Sequence, residues 1–194
     1  MDPVTLSLVL ERRAEEIHEP EFAAYAPLVS FEAFLPAERV FGWVRLDADR
    51  LTDLLNVHDL IRLANVLVED HRTGRAVSAD ETLIPRSEII AVVARGPRGD
   101  PARRRATRAH AVVYRSGMYS IGGFVHAPVG LDAQERLQDG SPMIPLTDAW
   151  VEYRCGEQHR CHRSDTVIVN RELATTFELA GEPTDLTPRG PHQA

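Results

Sequence analysis

Residues 46–53 read LDADRLTD, and residues 131–139 read LDAQERLQD. Both stretches begin with leucine, aspartate and alanine, and both continue through an acid, an arginine and a second leucine. Similarity at a fixed spacing is the signature of a repeated structural unit, so it decides how every local pattern is interpreted. The pair predicts that one fold occurs twice in this chain.

Three further blocks match in the same order around this pair. Residues 40–44 (VFGWV) correspond to 121–125 (IGGFV), 61–69 (IRLANVLVE) to 144–152 (IPLTDAWVE), and 80–84 (DETLI) to 164–168 (SDTVI). The spacing between partners stays between 81 and 86 residues. Chance produces one such block but hardly four in register. We therefore expect a tandem duplication, with repeat 1 at residues 29–95 and repeat 2 at residues 110–180.

Each repeat has the patterns of a small, mainly β domain. Apolar and polar residues alternate over 29–35 and 110–115, which is typical of half-buried strands. A second strand carries Gly42 or Gly123, and glycine within a strand indicates a bulge or a close backbone approach. Two later strands are predicted at 61–69 and 82–93 in repeat 1, the latter interrupted by Pro85, and at 144–153 and 166–179 in repeat 2.

A short helix is expected between the second and third strands. Leu51, Leu54 and Leu55 recur at helical spacing, and Asp49 is suited to cap the exposed amides. Gly140 and Pro142 end the matching segment of repeat 2 earlier. The expected fold is thus two tandem pseudo-symmetric small β-barrels or rolls, each with a short helix.

Three segments lie outside the repeats. Residues 1–28 form an N-terminal arm, where Asp2 and Pro3 favour a helix and the alternation that follows them favours a strand; we expect the helix. Residues 96–109 are an Arg-rich linker, and residues 181–194 are expected to be a disordered tail.

Composition bounds the class of protein. The chain has 194 residues, 43% of them hydrophobic, and a net charge of −7, which suits a globular protein and disfavours a surface devoted to nucleic acid. All 22 basic residues are arginine, as expected from coding bias in a GC-rich bacterial genome. No apolar run approaches the roughly 20 residues of a membrane span. No basic stretch precedes the first apolar run, so we expect a cytoplasmic protein.

Repeat 2 resembles an uncharacterised family of small bacterial β-domains. The resemblance rests on Gly123, the L-x-D segment at 137–139, the P-L-T-D block at 145–148 and the V-N-R block at 169–171. Repeat 1 has Arg62-Leu63-Ala64-Asn65 in place of P-L-T-D, so the pattern is weaker there. This family implies a fold but no activity. The order of elements also resembles the Sm-like barrels that bind RNA, although small barrels share layouts without sharing function.

Four candidate zinc ligands lie within eight residues. Cys155, His159, Cys161 and His162 are the ligand types that zinc prefers, although one tight loop seldom closes a tetrahedron. The two cysteines could instead face each other across a hairpin and form a disulfide, or the hairpin could carry neither. We expect no cofactor, with zinc as the alternative.

The linker offers a candidate anion-binding site. Its arginines are Arg98, Arg103, Arg104, Arg105 and Arg108. Such a run could contact phosphate, and together with residues 119–123 (YSIGG) it resembles the PilZ domains that bind cyclic dinucleotides. Met118 stands where those domains place an Asp or Asn, and Pro97, Gly99 and Pro101 equally suit a solvated linker.

Catalysis has little support in the sequence. Asp53, His58 and Asp59 are close together, as general acid–base chemistry requires, but capping and solvation explain them. Motifs such as G-x-S-x-G and H-E-x-x-H do not occur. We therefore expect a non-enzymatic binding or scaffold protein that acts through protein contacts, with a homo-oligomer among the options. The alternative is nucleic-acid or cyclic-nucleotide binding through the linker, and a metal-dependent enzyme ranks third.

Overall fold

The structure is a computed structural model that describes residues 26–97, 106–130, 133–138 and 140–180. The predicted N-terminal arm at 1–28 lies almost wholly outside these residues, as do positions 98–105 of the linker and the tail at 181–194. Among the described residues, no helix is long and apolar enough to cross a membrane.

The prediction of a mainly β protein is confirmed. The strands are β1 (Leu28–Phe34), β2 (Glu38–Arg45), β3 (Leu60–Asp70), β4 (Ala76–Pro85), β5 (Ala91–Ala94), β6 (Thr107–Ser116), β7 (Tyr119–Pro128), β8 (Met143–Cys155), β9 (Gln158–Asn170) and β10 (Thr176–Leu179). Helix α1 (Leu51–Val57) follows β2, helix α2 (Ala133–Gln138) follows β7, and 3-10 turns at Arg86–Glu88 and Arg171–Leu173 follow β4 and β9. We call β1 to β5 with α1 the first half, and β6 to β10 with α2 the second half.

The strands form one antiparallel sheet in the order β10-β6-β7-β8-β9-β5-β1-β2-β3-β4. Each half has the same internal order, in which its fifth strand lies beside its first. Among the described strands, no pairing closes either half into the barrel expected from the sequence. The reason lies in β5, which pairs with β9 of the other half and not with β4 of its own.

Each half has five described strands, whereas the sequence predicted four. The segment predicted as one interrupted strand at 82–93 is two strands, because β4 ends at Pro85 and a 3-10 turn leads to β5. Proline lacks the N–H that would continue the ladder, which accounts for this break. The segment predicted at 166–179 is divided in the same way, into the end of β9 and β10.

A bulge occurs at the same place in each half. The register of β2 against β3 shifts around Gly42, and the register of β7 against β8 shifts around Gly123. Opposite these glycines, Asn65 (φ 49°) and Asp148 (φ 46°) are the described non-glycine residues with a left-handed backbone. Asn and Asp tolerate that conformation best among L-residues. A Cβ on Gly123 would lie 3.0 Å from the Thr147 carbonyl oxygen, so a larger residue there would crowd the backbone of β8.

Helix α1 buries Leu51, Leu54 and Leu55 as predicted. Its cap was predicted wrongly, because Arg50 and not Asp49 is the N-cap residue, with no side-chain cap hydrogen bond. Helix α2 ends at Gln138, before Gly140 and Pro142, as the sequence indicated.

The last matched block is displaced by one residue from the sequence alignment. Ile61 pairs with Ile84, and at the corresponding place Ile144 pairs with Val169. Ile84 therefore corresponds to Val169, whereas the sequence comparison had aligned it with Ile168. The difference matters because a shift of one residue moves a strand's side chains to the other face of the sheet. Hereafter, two residues are called equivalent when they hold the same place in the strand pairing of the two halves.

Two apolar cores lie on opposite faces of the sheet where the halves meet. One contains Phe31, Leu63 and most of the buried residues of the first half, and the other contains Tyr114, Ile121 and most of those of the second. Strands β5 and β9 supply both cores, since successive side chains on a strand point to opposite faces.

Candidate functional site

The halves meet at a junction in which β5 of the first half pairs with β9 of the second half. Strand β5 pairs with the end of β9 through Ala91 with Val169, Val92 with Ile168, and Val93 with Val167. The Asn170 N–H also donates to the Ile90 carbonyl at 2.9 Å. The two halves are thus joined by backbone hydrogen bonds of the kind that join strands within a sheet.

Apolar side chains cross the junction in both directions. Met143 and Ile168 belong to the second half but pack in the core of the first. Phe34, Ala91 and Val93 belong to the first half but pack in the core of the second. Each half therefore completes the core of the other.

Beside this apolar contact lies a buried ion pair of the first half. Arg39 donates from Nε and Nη2 to the same Glu32 carboxylate oxygen, at 3.1 and 2.6 Å, and both residues are buried. Burial alone would lower the pKa of Arg39, but Glu32, Tyr153 and Glu69 together more than offset it, so the pKa is raised. The guanidinium carbon also lies 4.5 Å from the centre of the Phe41 ring. Arg39 therefore stays charged inside the protein, with its charge compensated.

The second half supplies partners to this buried set. Arg39 Nη1 donates to the Tyr153 hydroxyl at 3.3 Å, and Arg160 Nη1 donates to Glu69 Oε1 at 3.3 Å. Glu69 is fully buried. The hairpin of β8 and β9 thus packs against the face of β2 and β3 that carries Arg39 and Glu69, and its Arg160 neutralises the Glu69 carboxylate.

A histidine and a tyrosine complete the junction. The Tyr119 hydroxyl donates to the Leu35 carbonyl at 2.6 Å and lies 2.6 Å from His71 Nε2. Which of the two groups donates to the other depends on the tautomer of the His71 imidazole. Burial, followed by the charge of Arg39, lowers the pKa of His71 to about 4. His71 is therefore neutral near pH 7.

A separate cavity of about 390 Å³ lies on the first half, against β2, β3 and α1. Its wall includes Trp43, Arg45, His58 and Arg62. Arg62 forms an ion pair with Glu81, and His58 Nε2 lies 3.5 Å from Asp47 Oδ2. An aromatic ring beside two guanidinium groups could hold a planar anion.

The structure separates the candidate zinc ligands. Cys155 pairs with Gln158, and Cys161 pairs with Glu152. Cross-strand partners share a face, whereas successive residues of one strand lie on opposite faces. Cys161 pairs with Glu152, three residues from Cys155, so the two cysteines lie on opposite faces of the hairpin. By the same pairing, His162 lies on the Cys155 face and His159 on the Cys161 face. A disulfide or a four-ligand zinc site would need both faces at once.

Other observations on these residues agree. The two cysteines are free, Cys155 buried and Cys161 exposed. Burial raises the pKa of both thiols. Among the described residues, no three His, Cys, Asp or Glu side chains are placed to hold a metal ion.

Of the linker arginines, the structure describes Arg108 alone. It is an exposed residue of β6, opposite Ala127. Arg98, Arg103, Arg104 and Arg105 lie outside the described residues.

The weak catalytic candidates are not brought together. Asp53 accepts hydrogen bonds from Arg50 at 2.8 and 2.9 Å, and Asp59 accepts one from Arg86 at 2.7 Å. His58 faces Asp47 instead of either of them.

Sequence reasoning missed the buried charges of the junction. Glu32, Arg39 and Glu69 occur in strands where charged residues suggest a solvated face. One signal existed for Glu69, because the matched blocks 61–69 and 144–152 both end in glutamate. No comparable signal marked Arg39, whose equivalent in the second half is Ser120.

Comparison with protein-family models, with curated proteins and with solved structures found no match for this chain.

Proposed function

We propose that this chain is a non-enzymatic scaffold that acts through protein contacts, and that it arose by fusion of two copies of one five-stranded unit. The duplication is supported by the equal strand order of the halves and by the equivalent bulges at Asn65 and Asp148. Four matched sequence blocks agree with it.

The observation that carries the function is the junction itself. There, the edge of β9 accepts an added strand, β5, from the other half. Strand β4 is equivalent to β9 and has only β3 as a described neighbour. An exposed edge can accept an extended segment of another protein. We propose that β4 is the contact strand, and that its partner is a strand of the β5 and β10 type.

A labelled peptide spanning residues 88–96, which contains β5, tests this proposal. Titration with the protein should raise its fluorescence anisotropy. The variant Leu83→Lys, which places a charge on the β4 edge, should weaken binding about tenfold or more. Val129→Lys alters an exposed valine outside both edge strands and should leave binding unchanged. If the peptide does not bind, or binds both variants equally, β4 is not a contact strand.

The alternative is binding of a nucleotide or nucleic acid. The sequence bases this alternative on the Arg-rich linker, and in the described chain it is supported by the cavity beside Trp43, Arg45 and Arg62. Salt-sensitive quenching of tryptophan fluorescence by cyclic di-GMP would support it. A metal-dependent enzyme has weaker support, because the four Cys and His residues of the hairpin lie on two faces.

A further inference from the structure

We propose that copies of this chain associate head to tail, with the β4 edge of one copy pairing with the β10 edge of the next in the register that joins β9 to β5. The inference rests on the proposed function and names the partner as a second copy. Its basis is that the internal junction joins two strands, β9 and β5. Their equivalents, β4 and β10, lie at the two ends of the described sheet, each with one described neighbour.

The backbone groups needed for this pairing face outward. The backbone N–H of Arg86 donates to the backbone carbonyl oxygen of Asp59 at 2.8 Å, which fixes the alternation along the end of β4. Ile84 therefore directs its N–H toward β3, and Leu83 directs its N–H to the opposite side, away from β3. The Ala180 N–H donates to Ala111, so by the same alternation Phe177 directs its N–H outward from β10.

The register follows from the internal junction. Leu83 is equivalent to Ile168, and Phe177 is equivalent to Val92. Ile168 and Val92 are directly paired between β9 and β5. The Leu83 and Phe177 of two copies would therefore exchange both N–H···O=C bonds.

The apolar part of the junction is repeated in exposed form. Leu60 is 57% exposed and Leu83 is 58% exposed. Their equivalents, Met143 and Ile168, are 1% and 0% exposed, because they fill the core of the other half. Large exposed apolar residues at an edge strand mark a contact surface. The two leucines thus hold the places that Met143 and Ile168 hold in the internal junction, but their side chains are exposed.

The charges are repeated as well. In the internal junction, Arg160 of the β8–β9 hairpin meets Glu69 of β3 at 3.3 Å. The residue equivalent to Arg160 is Arg75, exposed on the β3–β4 hairpin. The residue equivalent to Glu69 is Glu152, on β8. Between two copies, Arg75 of one would meet Glu152 of the next.

One difference weakens the contact between copies. Asn170 donates its N–H across the internal junction, whereas its equivalent in β4 is Pro85, which has no N–H. We therefore expect association that depends on protein concentration. Because the two contacting surfaces differ, the contact is heterologous and builds a closed ring or an open filament.

Mixing two end-blocked variants tests the inference. Leu83→Lys blocks the β4 end. Leu179→Pro blocks the β10 end, because it removes an outward N–H that β6 does not use. In sedimentation velocity, the unaltered chain and Val129→Lys should grow in mass with concentration, and each blocked variant should stay at the mass of one chain. An equimolar mixture of the two blocked variants should give species of two chains and no larger, since one β4 and one β10 edge remain free.

Circular dichroism of each variant establishes that it is folded. The variant Arg75→Glu provides a second test of association between copies. It should weaken association, and Glu152→Arg in the same chain should restore it. A single-chain mass for the unaltered protein at every concentration overturns the inference, as does a mixture that does not pair. If the 88–96 peptide still binds the Leu179→Pro variant in that case, the proposed function stands and only self-association fails; if neither occurs, both fail.

Discussion

His71 is the buried histidine of the junction, between the charge of Arg39 and the hydroxyl of Tyr119. Its pKa falls from 6.5 to about 4 on folding, because burial and Arg39 both oppose protonation. Between these values the unfolded chain binds more protons than the folded one, so stability must decrease as pH falls from 6.5 toward 4. Well above pH 6.5 His71 is neutral in both the folded and the unfolded chain, so stability no longer changes with pH because of this residue.

Urea unfolding at pH 7.5 and pH 5 measures this effect. Because of His71 alone, we expect the free energy of unfolding to be roughly 2 kcal/mol lower at pH 5 than at pH 7.5. This follows because pH 5 lies about 1.5 pH units below the pKa of the unfolded chain's histidine. The variant His71→Gln should lose this part of the pH dependence. His58→Gln removes a more exposed histidine and should behave like the unaltered protein. Equal pH dependence in all three proteins would mean that His71 is not held neutral.

Among the elements, the bulges of β3 and β8 are the best test of local conformation. Asp148 is exposed and has a left-handed backbone, which costs an L-residue about 1–2 kcal/mol. Asp148→Gly should therefore be close to neutral in stability, because relief of strain offsets the entropy of glycine. Asp148→Val should be destabilising by about 1–2 kcal/mol, because a branched Cβ fits this region worst.

Arg154→Gly provides the matched control, since Arg154 is an exposed residue of the same strand with an ordinary backbone. It should cost about 0.5–1 kcal/mol. Chemical denaturation measures all three variants, and a loss at Asp148→Gly as large as that at Arg154→Gly would contradict the bulge.

At this scale the sequence predicted most of the elements. Alternation located the strands, leucine spacing located α1, and Gly42 and Gly123 indicated the bulges. The extra strand in each half was missed, because the apolar pattern runs through the break after Pro85. The partner of β5 was also missed, since alternation specifies which face of a strand is buried but not which strand lies beside it.

The buried ion pair at the junction could not be predicted for a related reason. Burial of Glu32 and Arg39 depends on the hairpin of β8 and β9, more than 100 residues away in the chain. Within the first half alone, their strands look half-solvated. Charged residues in strands are compensated by long-range contacts that no local pattern contains.

At the scale of the whole sheet, the two end strands differ, and each has one neighbour among the described strands. The internal junction shows how two such edges fit together. Leu83 and Phe177 are the central residues of these edges, as Ile168 and Val92 are in the junction. Association of copies would thus extend a contact that the chain already makes within itself. Leu60 and Leu83, exposed in one copy, would become buried.

Amide hydrogen exchange of Leu83 and Phe177, followed by NMR at increasing protein concentration, tests this most directly. Both amides should exchange fast in dilute protein and become protected together as concentration rises, while the amides of Ile168 and Val92 stay protected throughout. In Leu179→Pro, which lacks a free β10 edge, the Leu83 amide should remain fast at every concentration. Exchange of Leu83 and Phe177 that does not change with concentration would contradict head-to-tail pairing through these edges.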